Sequence, residues 1–119
     1  MDTKEDMRLR FAVEDLVLRC GIHADHNGFD CLVDAVVLFV NGVHNFTEIY
    51  RTIGEQRGIE SRSVMRNITY AVKHSYEIHT YLSQMTGAPI NPKDVRCAFV
   101  IAHLGRVVLR TYDPTTNKS

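Results

Sequence analysis

Residues 46–82, FTEIYRTIGEQRGIESRSVMRNITYAVKHSYEIHTYL, predict two helices joined by a tight turn. Ile53 followed by Gly54 supplies an apolar residue and then a very small one, which lets a second helix cross closely. Gly58 falls in the turn, where a residue that tolerates a positive φ is needed, and Ile59 is expected to fill the turn as an apolar plug. This arrangement is typical of the helix-turn-helix, whose second helix lies in the major groove of DNA. Plain packing of two helices explains the pattern equally well.

The second helix of this unit is expected to begin near Glu60 or Ser61 and to run to about Leu82. Its apolar residues recur at spacings of mostly three and four, which places them on the one face of a helix that packs against a core. The predicted buried residues are Val64, Ile68, Ala71, Val72, Ser75, Ile78 and Leu82.

The opposite face of the same helix carries basic, hydroxyl and aromatic side chains. Arginine can form two hydrogen bonds with guanine, and hydroxyl groups can bind phosphate oxygens. We therefore expect Arg66 to contact a base and its neighbours to contact phosphates or base edges. An ordinary solvent-exposed helix has the same composition, so that interpretation stays open beside DNA binding. The candidate DNA-binding residues are Ser61, Arg62, Ser63, Met65, Arg66, Thr69, Tyr70 and Lys73.

The rest of the chain predicts more helices and no strands. The second of them is apolar on nearly all sides, so we expect it at the centre of the core, with Asp30 and Asp34 on its narrow solvent-exposed side. Asn91 followed by Pro92 is a typical helix start. The predicted fold is all-α, a compact five- to six-helix domain over residues 1–110 with a frayed polar tail at 111–119. The further helices are expected at residues 3–20, 29–41, 45–57 and 92–110, with loops at 21–28 and 83–91.

Composition and charge bound the class of protein. The chain has 119 residues, enough for one domain with a core, and 45% hydrophobic and 24% charged residues are usual for a globular domain. The formal net charge is zero, which counts mildly against nucleic acid as a partner. The charge is nevertheless polarised: residues 21–50 contain four acidic residues and no Lys or Arg, whereas residues 91–119 contain five basic and two acidic residues.

Cysteines and histidines near the start of the chain raise the question of a metal site. Cys20, His23, His26 and Cys31 lie close together in the sequence, and such residues can bind zinc. Their spacing matches no familiar set of ligands, and the cysteines are better explained as residues that face the core. Paired catalytic carboxylates, a nucleophile beside a base, and a phosphate-binding loop are all missing. We therefore expect no metal, no cofactor and no enzymatic activity.

Two further features concern the compartment. The three cysteines form no CxxC pair, which favours buried thiols in a reducing cytoplasm. The start MDTKEDMRLR lacks the apolar segment of a signal peptide, and the longest apolar run, Ala35 to Val40, is far shorter than a membrane span. A cytoplasmic protein without a membrane-spanning segment is expected.

Four short motifs in the same order carry a resemblance to a known family. The chain resembles the DNA-binding effector domain of the sporulation response regulators, the stage 0 sporulation protein A family, over roughly residues 16–108. The resemblance implies an all-helical domain built on a helix-turn-helix, which in bacteria binds operator DNA as a tandem dimer and switches transcription. The matching residues are Gly21-Ile22 with Gly28-Phe29, then Leu32 with Ala35-Val36, then Asn41, and finally Ser63-Val64-Met65-Arg66-Asn67-Ile68 with Ala71-Val72.

The base-reading positions match the family less well than the structural ones. Arg66 matches the second recognition arginine of the family, whereas Ser63 stands in place of the first and Met65 in place of a glutamate. Thr69-Tyr70 replaces an arginine–histidine pair, and Arg57 replaces an apolar residue. The chain also has no room for the receiver domain to which the family joins its effector. The expected function is a cytoplasmic transcriptional regulator, and the alternative is a degenerate helix-turn-helix that binds a protein partner.

Overall fold

The computed structural model describes residues 4–24, 27–75, 78–87, 89–91 and 96–112, and all regular structure in these ranges is helical. The all-α fold class is therefore confirmed. The first three helices begin and end within two residues of the predicted bounds. The helices are α1 (Lys4–Arg19), α2 (Asn27–Val40), α3 (Phe46–Arg57), α4 (Ser61–Lys73), α5 (Ile78–Thr86) and α6 (Cys97–Thr111).

Helix α2 is the centre of the core, as its sequence predicts. It packs against α1, α3, α4 and α6. A helix in contact with four others needs apolar residues around most of its circumference, and α2 has them. Its buried residues are Gly28, Phe29, Cys31, Leu32, Val33, Ala35, Val36 and Phe39.

Two glycines set how closely helices approach α2. A Cβ atom on Gly28 would lie 2.6 Å from the Cβ of Ala71 and would also collide with the main-chain carbonyl oxygen of Asn67, both on α4. A Cβ atom on Gly105 of α6 would overlap the ring of Phe39, with its Cε1 atom 3.0 Å away. The backbone of α4 therefore lies directly against the start of α2, and this contact orients α4.

The turn between α3 and α4 has the predicted glycine geometry. Asn45 caps α3 by accepting a hydrogen bond from the N–H of Glu48 at 3.2 Å, and Gly58 ends the helix with a φ of 69°. Gly54 must be small because a Cβ atom there would lie 2.6 Å from the carbonyl oxygen of Ile59. The prediction that Ile59 plugs the turn is wrong: its side chain is 38% exposed. Its backbone occupies the space beside Gly54, so the side chain points to solvent.

The predicted helix over residues 60–82 is interrupted, which corrects its bounds. Helix α4 ends at Lys73, and α5 begins at Ile78. The hydroxyl of Ser75, only 7% exposed, donates a 2.6 Å hydrogen bond to the carbonyl oxygen of Cys20 at the end of α1. This bond holds Ser75 outside a helix. All seven residues of the predicted buried line are nevertheless buried, because the break leaves their faces directed at the same core.

The last helix also begins later than its sequence suggests. Arg96 has an extended backbone (φ −126°, ψ 169°), so α6 begins at Cys97 instead of residue 92. The polar tail is predicted at 111–119, but Thr111 still belongs to α6 and Tyr112 ends it. The predicted helix start at Pro92 and residues 113–119 of that tail lie outside the described residues. The loop predicted at 83–91 is shorter than expected, since α5 continues to Thr86. None of the helices described is long and apolar enough to cross a membrane.

Asp34 is the charged centre of the α1–α2–α3 contact. Arg10 of α1 donates to its Oδ1 atom at 2.7 Å, and Arg57 of α3 donates to its Oδ2 atom through Nη2 at 2.6 Å and Nε at 3.1 Å. The side chain of Asp34 is only 13% exposed, so the expectation of a solvent-exposed Asp34 is wrong. The arginines cover it, and Arg57 thereby has a structural role.

Replacing Gly28 with alanine is expected to destabilise the fold by about 2 kcal/mol or more, since overpacking of a tight contact typically costs about 1–3 kcal/mol. The added methyl group must displace the backbone of α4 at Asn67. Urea unfolding monitored by circular dichroism measures the change. The control is Asn27→Ala at the exposed neighbouring position, which should change stability by less than about 0.5 kcal/mol. Equal stability of both variants would contradict the close contact.

Replacing Asp34 with asparagine is expected to lower the free energy of unfolding by about 1–2 kcal/mol. The substitution removes a partly buried charge that accepts hydrogen bonds from two arginines. Solvent around the arginines partly screens these interactions, which limits the loss. Thermal and urea unfolding give the value. The matched control is Asp30→Asn, four residues earlier and exposed, for which we expect almost no change. A larger loss for Asp30→Asn than for Asp34→Asn would rule out this role.

Candidate functional site

Helix α4 has one buried face and one exposed face. Val64, Ile68, Ala71 and Val72 are buried against α2, α3 and α6. Ser61, Arg62, Met65, Arg66, Tyr70 and Lys73, all predicted site residues, are exposed on the remaining surface, while Ser63 and Thr69 are half-buried at its edges. The structure therefore brings the predicted residues together on one helix. Its exposed face carries the basic side chains of Arg62, Arg66 and Lys73.

The exposed face of α4 carries positive charge that the described part of the chain does not neutralise. The helix contains no acidic residue, and Arg62, Arg66 and Lys73 form no ion pair with any described residue. Several arginines on other helices are paired instead: Arg10 with Asp34, Arg19 with Asp15, and Arg51 with Glu48 at 2.5 Å. Unpaired cations on one face attract a polyanion, since no competing carboxylate has to be displaced.

Thr69 differs from the other predicted site residues because it contacts another helix. Its Oγ1 atom lies 2.8 Å from the Sγ atom of Cys97 in the first turn of α6. The Cys97 thiol also lies within hydrogen-bond distance of the carbonyl oxygen of Met65, at 3.5 Å. Thr69 thus joins α4 to α6, and its hydroxyl already has a protein partner.

The end of the exposed face contains an aromatic pair that the sequence pattern did not single out. The rings of Tyr70 and His74 have centroids 4.0 Å apart and are tilted by 48°. The Nδ1 atom of His74 lies 2.9 Å from the carbonyl oxygen of Tyr70. Their spacing of four residues places both rings on one side of α4, which was a signal available in the sequence.

A groove beside α4 is the feature that sequence analysis missed altogether. It has a volume of about 470 Å³ and lies between α3, α4 and the start of α6. Burial raises the pKa of Tyr50 in its wall to about 12, with a smaller contribution from the nearby Cys97. Because three separate helices form the groove, no single stretch of sequence indicates it. Its lining residues are Phe46, Tyr50, Met65, Thr69, Val72, Lys73, Arg96, Cys97 and Ala98.

The cysteines belong to the core. Cys20, Cys31 and Cys97 are free thiols with buried side chains, as expected. Burial raises the pKa of Cys20 to about 12 and raises the pKa of Cys31 and Cys97 as well. Within the described ranges, no three His, Cys, Asp or Glu side chains come close enough to share a metal ion. His26, one of the candidate ligands, lies outside those ranges.

Comparison with known protein families, curated proteins and solved structures finds no match to this chain. The resemblance to the sporulation effector domains therefore stays a prediction from the sequence motifs. Helix α4 and the groove beside it are the features of the molecule that point to a function.

The native thiols are expected to resist alkylation. With a pKa of about 12, only about one Cys20 thiol in ten thousand is ionised at pH 8, and the thiolate is the reactive form. Mass spectrometry after treatment with iodoacetamide should show almost no modified native protein and full modification in urea. The Cys20 thiol has a pKa of about 12 in the folded protein and about 9 in the unfolded chain. Above pH 9 the unfolded chain therefore loses this proton first, so the stability of the fold should fall as the pH rises. Rapid labelling of folded protein would show that the core is more open.

Proposed function

We propose that this protein is a DNA-binding transcriptional regulator that places helix α4 in the major groove. The observation that carries the proposal is the exposed, acid-free face of α4, whose three cations have no ion-pair partner among the described residues. A helix held rigidly against a core and exposing such a face is the geometry of major-groove recognition. The family resemblance supports the same function and adds that two copies bind neighbouring half-sites.

The residues of α4 are expected to contact different parts of the DNA according to their position on the helix. Arg66 lies in the middle of the exposed face, where a long side chain can reach guanine with two hydrogen bonds. Arg62 and Lys73 lie one turn before it and two turns after it, and would neutralise phosphates on either side of the groove. Ser61, Ser63 and Tyr70 would add polar contacts at the edges, and Met65 an apolar contact. Thr69 would contribute mainly by holding α4 against α6.

Selection from a pool of random duplex DNA tests the proposed function directly. We expect one sequence motif to be enriched, with an affinity that falls as the salt concentration rises, because binding releases counterions from phosphates. Replacing Lys73 with glutamine should then reduce the slope of log affinity against log salt by about one. Failure to enrich any motif at both low and moderate salt would count against sequence-specific recognition by α4.

Arg66→Ala is expected to weaken binding to the selected sequence by about 1–3 kcal/mol and to relax the preference at one base pair. The reason is the loss of a bidentate contact with a base edge. Fluorescence anisotropy with labelled duplexes measures both effects. The control is Arg19→Ala on α1, an exposed arginine paired with Asp15 at 3.0 Å, which should leave the affinity unchanged. Full affinity of Arg66→Ala would remove Arg66 from the recognition surface.

The second candidate function is binding of a protein partner through the same face. Two side chains favour it: Met65 is 43% exposed and Tyr70 is 56% exposed. Exposed methionine and tyrosine side chains are common at protein interfaces, and in the resembled family these positions are charged or basic. Two results together would favour this function over the first. The protein would bind random DNA only faintly and without sequence preference, and the Arg66→Ala variant would still bind its protein partner.

A further inference from the structure

The groove between α3, α4 and α6 has the dimensions of a small-molecule site. Its volume of about 470 Å³ falls within the usual range of about 300–1,000 Å³ for ligand pockets. Phe46, Met65, Val72 and Ala98 provide apolar surface along it. A ligand with an apolar body would therefore exchange water for contacts with aromatic and aliphatic side chains.

The charged side chains in the described lining of the groove are all cations. Lys73 and Arg96 are cations, and the Tyr50 hydroxyl can donate a hydrogen bond, while the polar groups of Thr69 and Cys97 contact each other. None of the described lining residues carries a carboxylate. Neither cation is paired with a described residue, and the Tyr50 hydroxyl has no hydrogen-bond partner in the described part of the chain. Burial raises the pKa of this phenol to about 12, so it stays protonated well above neutral pH. The site therefore offers donors and positive charge beside an apolar surface.

We propose that this groove binds a small apolar carboxylic acid, with the hydrocarbon part along Phe46, Val72 and Ala98 and the carboxylate at Lys73 and Arg96. An uncharged apolar molecule would leave both cations without a partner. Inorganic phosphate would satisfy the cations but would gain nothing from the apolar wall. The apolar wall and the two cations together favour an amphipathic anion. Binding at this groove does not require that α4 binds DNA.

Titration of the isotopically labelled protein with octanoate, followed by nuclear magnetic resonance, tests the site. Octanoate should shift the amide signals of residues that line the groove, and the shifts should saturate. Octanamide has the same length without the charge, and we expect it to bind about tenfold more weakly, since hydrogen bonds to charged groups are the stronger ones. Inorganic phosphate at the same concentration should leave the signals of Phe46 and Tyr50 unchanged.

Matched variants locate the binding. Lys73→Gln and Arg96→Gln should each weaken octanoate binding about threefold, as expected for partly solvated ion pairs, while octanamide binding stays the same. Ala98→Phe should fill the groove and weaken both ligands. The control is Arg110→Gln near the other end of α6, an exposed arginine outside the groove, which should change nothing. The cation variants lie on the surface, so their folding can be verified by thermal unfolding.

Three outcomes would overturn the proposal. The first is equal affinity for octanoate and octanamide, which would mean that the cations play no part. The second is a set of octanoate shifts confined to other surfaces of the protein. The third is competition by phosphate as strong as by octanoate, which would indicate a simple anion site without a role for the apolar wall.

Discussion

The close contact between the start of α2 and the backbone of α4 is the constraint on which the rest of the structure depends. Gly28 has no side chain, so the main chain of α4 at Asn67 can lie directly against α2. Once α4 is fixed there, Val64, Ile68 and Val72 can only face the core, and the arginines can only face solvent. The exposed cationic face is therefore a consequence of core packing.

The two surfaces of interest share one helix and differ in chemistry. The outer face of α4 presents guanidinium groups to water, whereas its edge at Met65 and Thr69 contributes to an apolar groove with α3 and α6. Lys73 lies between them and borders both. A single charge thus belongs to a surface suited to a polyanion and to one suited to a small anion, so the two kinds of ligand would compete for it.

Sequence patterns predicted the local features of this fold and missed those that depend on distant contacts. The glycines of the α3–α4 turn follow from the chemistry of tight turns, and the buried line of α4 and α5 follows from helix periodicity. Both are local properties of the sequence. The break after Lys73 is not, because it depends on a hydrogen bond between Ser75 and Cys20, which are 55 residues apart. The sequence also did not predict the ion pairs of Asp34 with two arginines, or the groove, because both bring together residues from separate helices.

The hydrogen bond between Ser75 and Cys20 has a consequence for the order in which the chain acquires its structure. The residues from Ser61 to Leu82 have the periodicity of one uninterrupted helix, yet α4 ends at Lys73 and Ser75 bonds to the end of α1. A contact of such long range forms late in folding, since the intervening chain must first be brought together. We therefore expect a fragment without α1 to retain the helix-turn-helix sequence but to lose the tertiary contact beside the end of α4, so that this helix can extend beyond Lys73.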